Sequence, residues 1–384
     1  MIRSLTATTR EIDDPQAAVT EILTMLALDE NLLHSSVGII SCFSEFEDTG
    51  ALQAICDALP FECVGTTTCL CSAGKEADEI LFAITVLTSD DCSFQTLAVQ
   101  ITEEYANSIH SSVIDFLGQS PEKPALFLSY FPLMNNVSGD MILTAIDDAT
   151  GGVPLFGLTA IDHTLDYSAA KTIHNGAAFR EAAVLCAVYG SPKVEFGIAS
   201  LDENKFRIQK AIITESDGNV LIGVNGKNAM EYLKEIGFTE EQLPAPGVGA
   251  VPLIINYMGS IKPVVRAVFA VTSEGHVACG GKMPVGATLG IGHVDMNDVL
   301  NTTSRTVGTL LKRDSVVLCY SCIARYLVLG TNSSAEVEKV IEATDNGAEY
   351  HFTYTGGEIC PMPDANGNLK NVYHNFTIVF CRLS

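Results

Sequence analysis

The stretch YHFTYTGGEI (Tyr350–Ile359) decides the fold class, because it is the second strand of a pattern that the chain contains three times. In each copy an apolar strand leads into a helix, and a second strand then ends at a small Gly/Thr corner that a β-ribbon follows. The first strands are VGIISCF (Val37–Phe43), ALFLSYF (Ala125–Phe131) and SVVLCYSCIAR (Ser315–Arg325), and the earlier second strands are ECVGTTT (Glu62–Thr68) and PLFGLTA (Pro154–Ala160). This repetition predicts an α/β fold with mixed sheets, made of strand–helix–strand–ribbon units whose three similar corners can converge on one cleft.

The helices of the three units are predicted over residues 49–59, 138–149 and 333–344. In the first, apolar residues recur at the spacing of one helix face, and the second has the same spacing. Ser333 and Glu336 in the third have the spacing of a capping box. A hydroxyl near each start can accept a hydrogen bond from an unpaired backbone N–H.

The length of 384 residues suits two or three domains. We predict a helical extension over residues 1–34, in which Asp14-Pro15 opens the first helix. A domain over 35–225 carries the first two units, and a domain over 226–384 carries the third. The stretch Phe238–Gly249, with two prolines and two glycines, is the best linker candidate.

Composition limits the classes of function. The formal net charge is −24, from 22 basic and 46 acidic residues, so the surface should repel nucleic acids and anionic lipids. The start of the chain lacks the pattern of a signal peptide, and no apolar run approaches the roughly 18 residues that span a bilayer. Many of the 12 cysteines lie within apolar strands, as reduced thiols do in the cytosol. We therefore expect a cytoplasmic protein without membrane insertion or a nucleic-acid partner.

An ordered set of motifs resembles one known family. Toward the C-terminus they are VVRAVFAV (Val264–Val271), PVGATL (Pro284–Leu289), CIAR (Cys322–Arg325), YTGGEICP (Tyr354–Pro361) and YHNFT (Tyr373–Thr377). Earlier ones are ECVGTTT, VPLFGLTAID (Val153–Asp162) and AIITESDGNVLIGVNGKNAMEYL (Ala211–Leu233). From about residue 35 onward the chain is similar to the FIST sensory family, with its FIST N and FIST C domains.

The resemblance implies a bacterial intracellular module that senses a small molecule. Amino acids have been proposed as ligands of the family, and some members are described as haem-binding gas sensors. Members are often fused to, or encoded beside, histidine kinases, diguanylate cyclases or chemoreceptors. We expect no such output domain in the residues left over, so a sensor of this kind would signal through a separate protein.

The corner of the third unit is the strongest site candidate. Gly356 and Gly357 free the backbone to approach a ligand or to adopt positive φ, and Glu358 could accept from an ammonium group. Tyr354 precedes them. The alternative is a turn that simply needs glycine. By the logic of the repeat, Gly157 and Thr159 of the second unit line a pocket or cap a strand end, as Thr66-Thr67 do in the first.

Arg325 follows the first strand of the third unit, where ligands bind in α/β sheets. Its guanidinium suits a carboxylate or a phosphate. Alternatively it pairs with a structural carboxylate while Cys322 packs as an apolar group, or it pairs with Glu358 and a zwitterionic ligand splits the pair.

An enzyme is the second hypothesis. Cys322 and His374 could form a nucleophile pair oriented by Asn375 or Glu358, although no protease signature surrounds the cysteine. The alternative is a histidine satisfied by backbone contacts.

Metal and cofactor signals are weak. Cys69-Leu70-Cys71 and Cys319/Cys322 lack partner pairs at zinc-ligand spacing. Haem needs an axial ligand in an apolar pocket, for which His174, His163 and His351 are the candidates. The loop GVNGKNAM lacks the spacing of a phosphate-binding loop and is interpreted as a turn. We predict no metal and no cofactor, with a haem-based gas sensor as the third hypothesis.

Overall fold

Each predicted unit forms a parallel strand pair, and each pair lies in a sheet of its own. The computed structural model describes residues 1–102, 104–134, 137–164, 167–202, 205–238, 252–257, 262–312, 315–344, 348–364 and 366–384. The predicted α/β class with mixed sheets is confirmed by four sheets that combine parallel and antiparallel pairs or are wholly antiparallel. Most of the predicted linker, Phe238–Gly249, lies outside the described residues.

The first three sheets have six strands each. Sheet A runs in the order β1 (Ile2–Thr9), β6 (Phe82–Ser89), β2 (Ser35–Cys42), β3 (Cys63–Thr67), β10 (Thr172–His174), β11 (Ala177–Phe179). Sheet B runs β13 (Val194–Ala199), β26 (Ile378–Leu383), β22 (Val316–Cys322), β23 (Glu349–Thr355), β4 (Cys71–Ala73), β5 (Glu76–Asp78). Sheet C runs β25 (Leu369–His374), β24 (Glu358–Pro363), β9 (Leu155–Thr159), β8 (Leu126–Phe131), β12 (Ala182–Tyr189), β7 (Ser93–Gln100).

The three units exchange their ribbons in a cycle. The ribbon β4–β5 leaves the first unit and pairs with β23 of the third. The ribbon β10–β11 of the second unit pairs with β3 of the first, and the ribbon β24–β25 of the third pairs with β9 of the second. Each sheet is thus completed by a segment from another unit, so the three sheets are locked to one another.

The core is arranged around this exchange. One apolar cluster joins residues from all three sheets, such as Ile39, Leu128 and Leu318. The opposite face of each sheet is covered by helices. Strands β2, β8, β12 and β22 are therefore buried on both faces, which explains their near-continuous apolar sequences.

The predicted helices are present with small shifts in their limits. The helices are α1 (Pro15–Leu26), α2 (Leu28–Asn31), α3 (Glu45–Asp48), α4 (Ala51–Ala58), α5 (Tyr105–Leu117), α6 (Gly139–Thr150), α7 (Ala229–Glu235), α8 (Met296–Leu310), α9 (Ile323–Leu329) and α10 (Ala335–Ala343). Asp14 caps α1 as predicted. The predicted capping box at Ser333 and Glu336 is wrong, since α10 begins after Ser334 without a side-chain cap. A capping box forms instead at Asp295 and Asp298, at the start of α8.

A fourth sheet has its own core. Its order is β18 (Val264–Arg266), β17 (Leu253–Asn256), β21 (Thr288–Gly292), β14 (Phe206–Asp217), β15 (Val220–Val224), β20 (Val277–Cys279), β19 (Val268–Val271), and β16 (Lys227–Asn228) pairs with β15. Helix α7 packs into its apolar cluster. The predicted domain limit at 225/226 falls within this sheet, and the domain limits stay a prediction.

Residues 1–34 contain more than the predicted helical extension. Strand β1 pairs antiparallel with β6 and forms the edge of sheet A, so the segment is part of the first sheet as well as its helical cover.

All 12 cysteines are buried as free thiols. No helix within the described ranges is long and apolar enough to cross a membrane.

Candidate functional site

The corners of the three units meet and hydrogen-bond to one another. Thr68 Oγ1 donates to the carbonyl of Tyr354 at 2.9 Å, and Thr67 Oγ1 donates to that of Ile161 at 2.7 Å. The N–H of Gly356 donates to the carbonyl of Thr159 at 2.9 Å. These contacts link all three units at one place, which we call the hub.

The glycine corner of the hub is closed rather than open. Gly356 and Gly357 are buried, and neither has positive φ. A Cβ at Gly357 would lie 2.2 Å from Oη of Tyr373, and one at Gly356 would lie 3.0 Å from Ile161. The N–H of Gly356 is engaged by Thr159, whose own N–H donates to the carbonyl of Gly357. Glycine is required here for packing, which corrects our expectation of an accessible main chain.

We expect Gly357→Ala to lower the free energy of unfolding by about 1–3 kcal/mol, because the new methyl group overpacks against the Tyr373 ring. Urea unfolding followed by circular dichroism measures this. Gly308→Ala is the matched control, since its Cβ enters open space in α8 and should stabilise by up to about 1 kcal/mol. An equally harmless Gly357→Ala would contradict the packing role.

Arg325 pairs with Glu336, and the predicted pairing with Glu358 is not formed. Both residues of the observed pair are fully buried, and Arg325 Nη2 lies 2.6 Å from Glu336 Oε1. Arg325 also donates to Thr303 Oγ1, and Ser321 Oγ donates to the second carboxylate oxygen of Glu336. The cluster joins α8, α9 and α10 to β22, so the structural alternative for Arg325 is the one that the geometry supports.

Glu358 is held by two hydroxyls instead of a cation. Thr355 Oγ1 donates to one carboxylate oxygen at 2.6 Å, and Thr377 Oγ1 donates to the other at 2.6 Å. The side chain is fully buried, and this burial raises the pKa of Glu358 to about 8. The group is therefore mostly protonated at neutral pH.

Cys322 and His374 are not arranged as an activated nucleophile. Burial raises the pKa of the Cys322 thiol well above its usual range. Burial also lowers the pKa of His374 to about 4, and its Nε2 lies 3.2 Å from the carbonyl of Cys360. A protonated thiol and a histidine engaged by the backbone lack the thiolate that such catalysis needs.

The histidines considered for haem make hydroxyl contacts. Both ring nitrogens of His351 are engaged, by Ser41 at 2.8 Å and Thr85 at 3.0 Å, and burial lowers its pKa to about 3. His174 Nε2 lies 2.8 Å from Thr96 Oγ1, and His163 contacts Ser44. Within the described residues, no group of three or more His, Cys, Asp or Glu side chains is placed to hold a metal ion.

Beyond the hub lies a cleft of about 440 Å³, which we call the His374 cleft. Thr377 lines it and donates to Glu358, which also accepts from Thr355 of the third corner. His374, a predicted site residue, lines it as well. Apolar residues of β13, β18 and β24 form much of its wall. The polar lining includes Asp202, Lys262, Arg305 and Thr306.

An ion pair belongs to the lining of this cleft. Arg305 Nη2 of α8 lies 2.8 Å from Asp202 Oδ1, and both side chains are exposed. Sequence reasoning identified His374 but missed Asp202, Arg305 and Thr377, because only the tertiary fold brings these segments together. The YHNFT motif, which contains Thr377, was the one available signal.

A second cleft of about 350 Å³ adjoins the first, and we call it the Arg266 cleft. The two share Lys262, Val264, Met362 and Pro363 as lining residues. Arg266 is buried, and its Nη2 lies 3.2 Å from Asp140 Oδ2 at the start of α6. No residue of the predicted site lines this cleft.

Comparisons with known proteins support the resemblance seen in the sequence. Residues 36–227 match the model of the FIST N domain, and residues 229–361 match that of the FIST C domain. No curated protein matches the chain. The crystal structure of cyanuric acid hydrolase from A. caulinodans is similar at a TM-score of 0.38 and 8% identity over 99% of both chains, which is too weak to inform function. FIST domains are sensory modules of signal transduction. The two matches cover most of the chain, and the protein therefore belongs to the FIST family.

Proposed function

We propose that the protein is a sensor that binds a small polar ligand, such as an amino acid, in the His374 cleft and signals through a separate output protein. The observation that carries this proposal is the composition of the cleft wall. Ile198 and Asp202 belong to the FIST N match, whereas Val264 and Arg305 belong to the FIST C match. A ligand bound there would contact both parts of the sensory module.

The size and chemistry of the cleft suit such a ligand. Its volume of about 440 Å³ lies within the range of small-molecule sites, which combine apolar walls with a few polar groups. The guanidinium of Arg305 can donate two hydrogen bonds to a carboxylate, and the carboxylate of Asp202 can accept from an ammonium group. An exposed ion pair contributes little to stability, so a zwitterion can replace it at low cost.

The cleft also offers a route from ligand to hub. Thr377 Oγ1 lies between the cleft and Glu358, and Glu358 accepts from Thr355 in the third corner. A ligand that binds one arrangement of this chain of contacts more tightly shifts the population toward it. A histidine kinase, a diguanylate cyclase or a chemoreceptor would read that shift, in keeping with the partners that the family resemblance implies.

A thermal-shift screen of amino acids and related metabolites tests the proposal, because selective binding to the native form raises the melting midpoint. We expect at least one zwitterion to raise it, and Arg305→Gln to weaken that binding about 10-fold to 100-fold through loss of a charged hydrogen bond.

Arg10→Gln is the matched control, since Arg10 is also an exposed arginine in ion pairs, with Glu76 and Asp78. It should leave ligand binding unchanged. Failure of every zwitterion to bind, or equal weakening by both substitutions, would remove the proposed ligand site.

A further inference from the structure

We propose that the Arg266 cleft is a second binding site, specific for a small anionic ligand that carries a phosphate or clustered carboxylates. The cleft is lined by four cationic side chains, those of Lys262, Arg266, Lys282 and Lys370. These are four of only 22 lysine and arginine residues in a chain of net charge −24. General solubility does not require such a concentration of positive charge.

The back wall of the cleft is built and held rigidly. Arg266, with 1% of its surface exposed, donates to Asp140 at 3.2 Å, to Tyr257 Oη at 2.6 Å and to the carbonyl of Tyr373 at 2.8 Å. Its Nε has no hydrogen-bond partner among the described residues. That nitrogen is buried beside Gly281, so Arg266 contributes its positive charge to the wall of the cleft and not a free donor.

Charge balance leaves the cleft positive. Asp140 neutralises Arg266 and also accepts from the backbone N–H of Lys282. Asp364, the other carboxylate of the lining, lies 4.0 Å from Lys370 and accepts from two backbone N–H groups of its own turn. Among the described residues of the lining, cationic side chains outnumber carboxylates, so the cleft favours an anion.

The N-terminus of α6 adds to the positive electrostatic potential of the cleft. Asp140 lies in the first turn of this 12-residue helix, and Lys282 Nζ donates to Thr144 Oγ1 one turn further on. The positive end of the helix dipole therefore lies on the same side as the lysines.

A purely structural role explains only part of the arrangement. The Arg266–Asp140 ion pair links the region that matches FIST N to the region that matches FIST C. Removing one partner of a buried pair destabilises the fold. That link needs none of the three lysine side chains. Their placement around one cleft is what indicates a ligand.

Calorimetric titration of the whole chain with inorganic phosphate and, separately, with citrate tests the proposal at constant ionic strength. We expect one or both to bind, and the double variant Lys282→Gln/Lys370→Gln to weaken that binding at least 10-fold. Binding of phosphate alone identifies a phosphate-bearing ligand, and binding of citrate alone identifies a polycarboxylate.

The variant Lys312→Gln/Lys339→Gln removes the same charge from lysines paired elsewhere, with Glu195 and Glu342. It should leave anion binding within two-fold of the unaltered protein. Absence of binding by both anions, or equal weakening by the two double variants, overturns the proposal. Arg305→Gln should bind the anion normally, so this site and the zwitterion site are tested separately.

Discussion

Replacement of Glu336 with alanine should lower the free energy of unfolding by about 3–5 kcal/mol, because it leaves the buried charge of Arg325 without its carboxylate. The same change removes the acceptor for Ser321 and Thr303. Chemical denaturation with urea measures the difference.

Glu338→Ala is the control, since Glu338 lies on the same helix but is exposed. It should change stability by no more than about 0.5 kcal/mol. The double variant Arg325→Met/Glu336→Leu should recover much of the loss, because it removes both charges together. A Glu336→Ala variant as stable as Glu338→Ala would show that the pair does not organise α8, α9 and α10.

The second large effect concerns pH. The pKa of Glu358 is raised to about 8 in the folded protein by burial, from an ordinary value of 4.5. Between these two values the unfolded chain has lost the proton while the native protein retains it, so the contribution of Glu358 to stability falls as pH rises. The slope approaches 1.36 kcal/mol per pH unit midway between the two pKa values, so the loss between pH 5 and pH 8 is about 3.5 kcal/mol. Below pH 4.5 the contribution is fully present.

Glu358→Gln should remove this dependence, because glutamine is a neutral group of similar shape. Unfolding free energies of the variant and the unaltered protein, measured from pH 5 to pH 8, should differ progressively in favour of the variant. His351 and His374 have lowered pKa values and act in the opposite direction, with stability lost as pH falls below 6.5, but they are common to both proteins. Glu215→Gln, at an exposed position, is the control. A constant difference across the range would contradict the protonated state of Glu358.

Local sequence signals predicted the repeated units well. The parallel pairs β2/β3, β8/β9 and β22/β23 and their helices follow from apolar periodicity, which depends on neighbouring residues only. The cyclic exchange of ribbons was not predictable, because Ala73 pairs with His351 far along the chain. Nothing in a short ribbon specifies which sheet it completes.

In the candidate site, too, local features were predictable from the sequence and long-range contacts were not. The sequence indicated that the three corners converge, and the hub contacts join them. The spacing of Ser333 and Glu336 suggested a helix cap. In the folded protein Glu336 is buried and forms an ion pair with Arg325. Asp202 and Arg305 are unremarkable as exposed charges in the sequence, and only the packing of α8 against β13 brings them to one cleft.

The most direct measurement is a calorimetric titration of the best zwitterion from the screen into the unaltered protein and into Ser200→Trp. Ser200 lines the His374 cleft and is half-buried, so an indole at this position fills part of the space without entering the core. We predict binding of one ligand per chain in the unaltered protein and its loss in Ser200→Trp, with the melting midpoint of the free variant little changed. Unchanged affinity in the filled variant would place the ligand elsewhere and contradict the proposed sensor site.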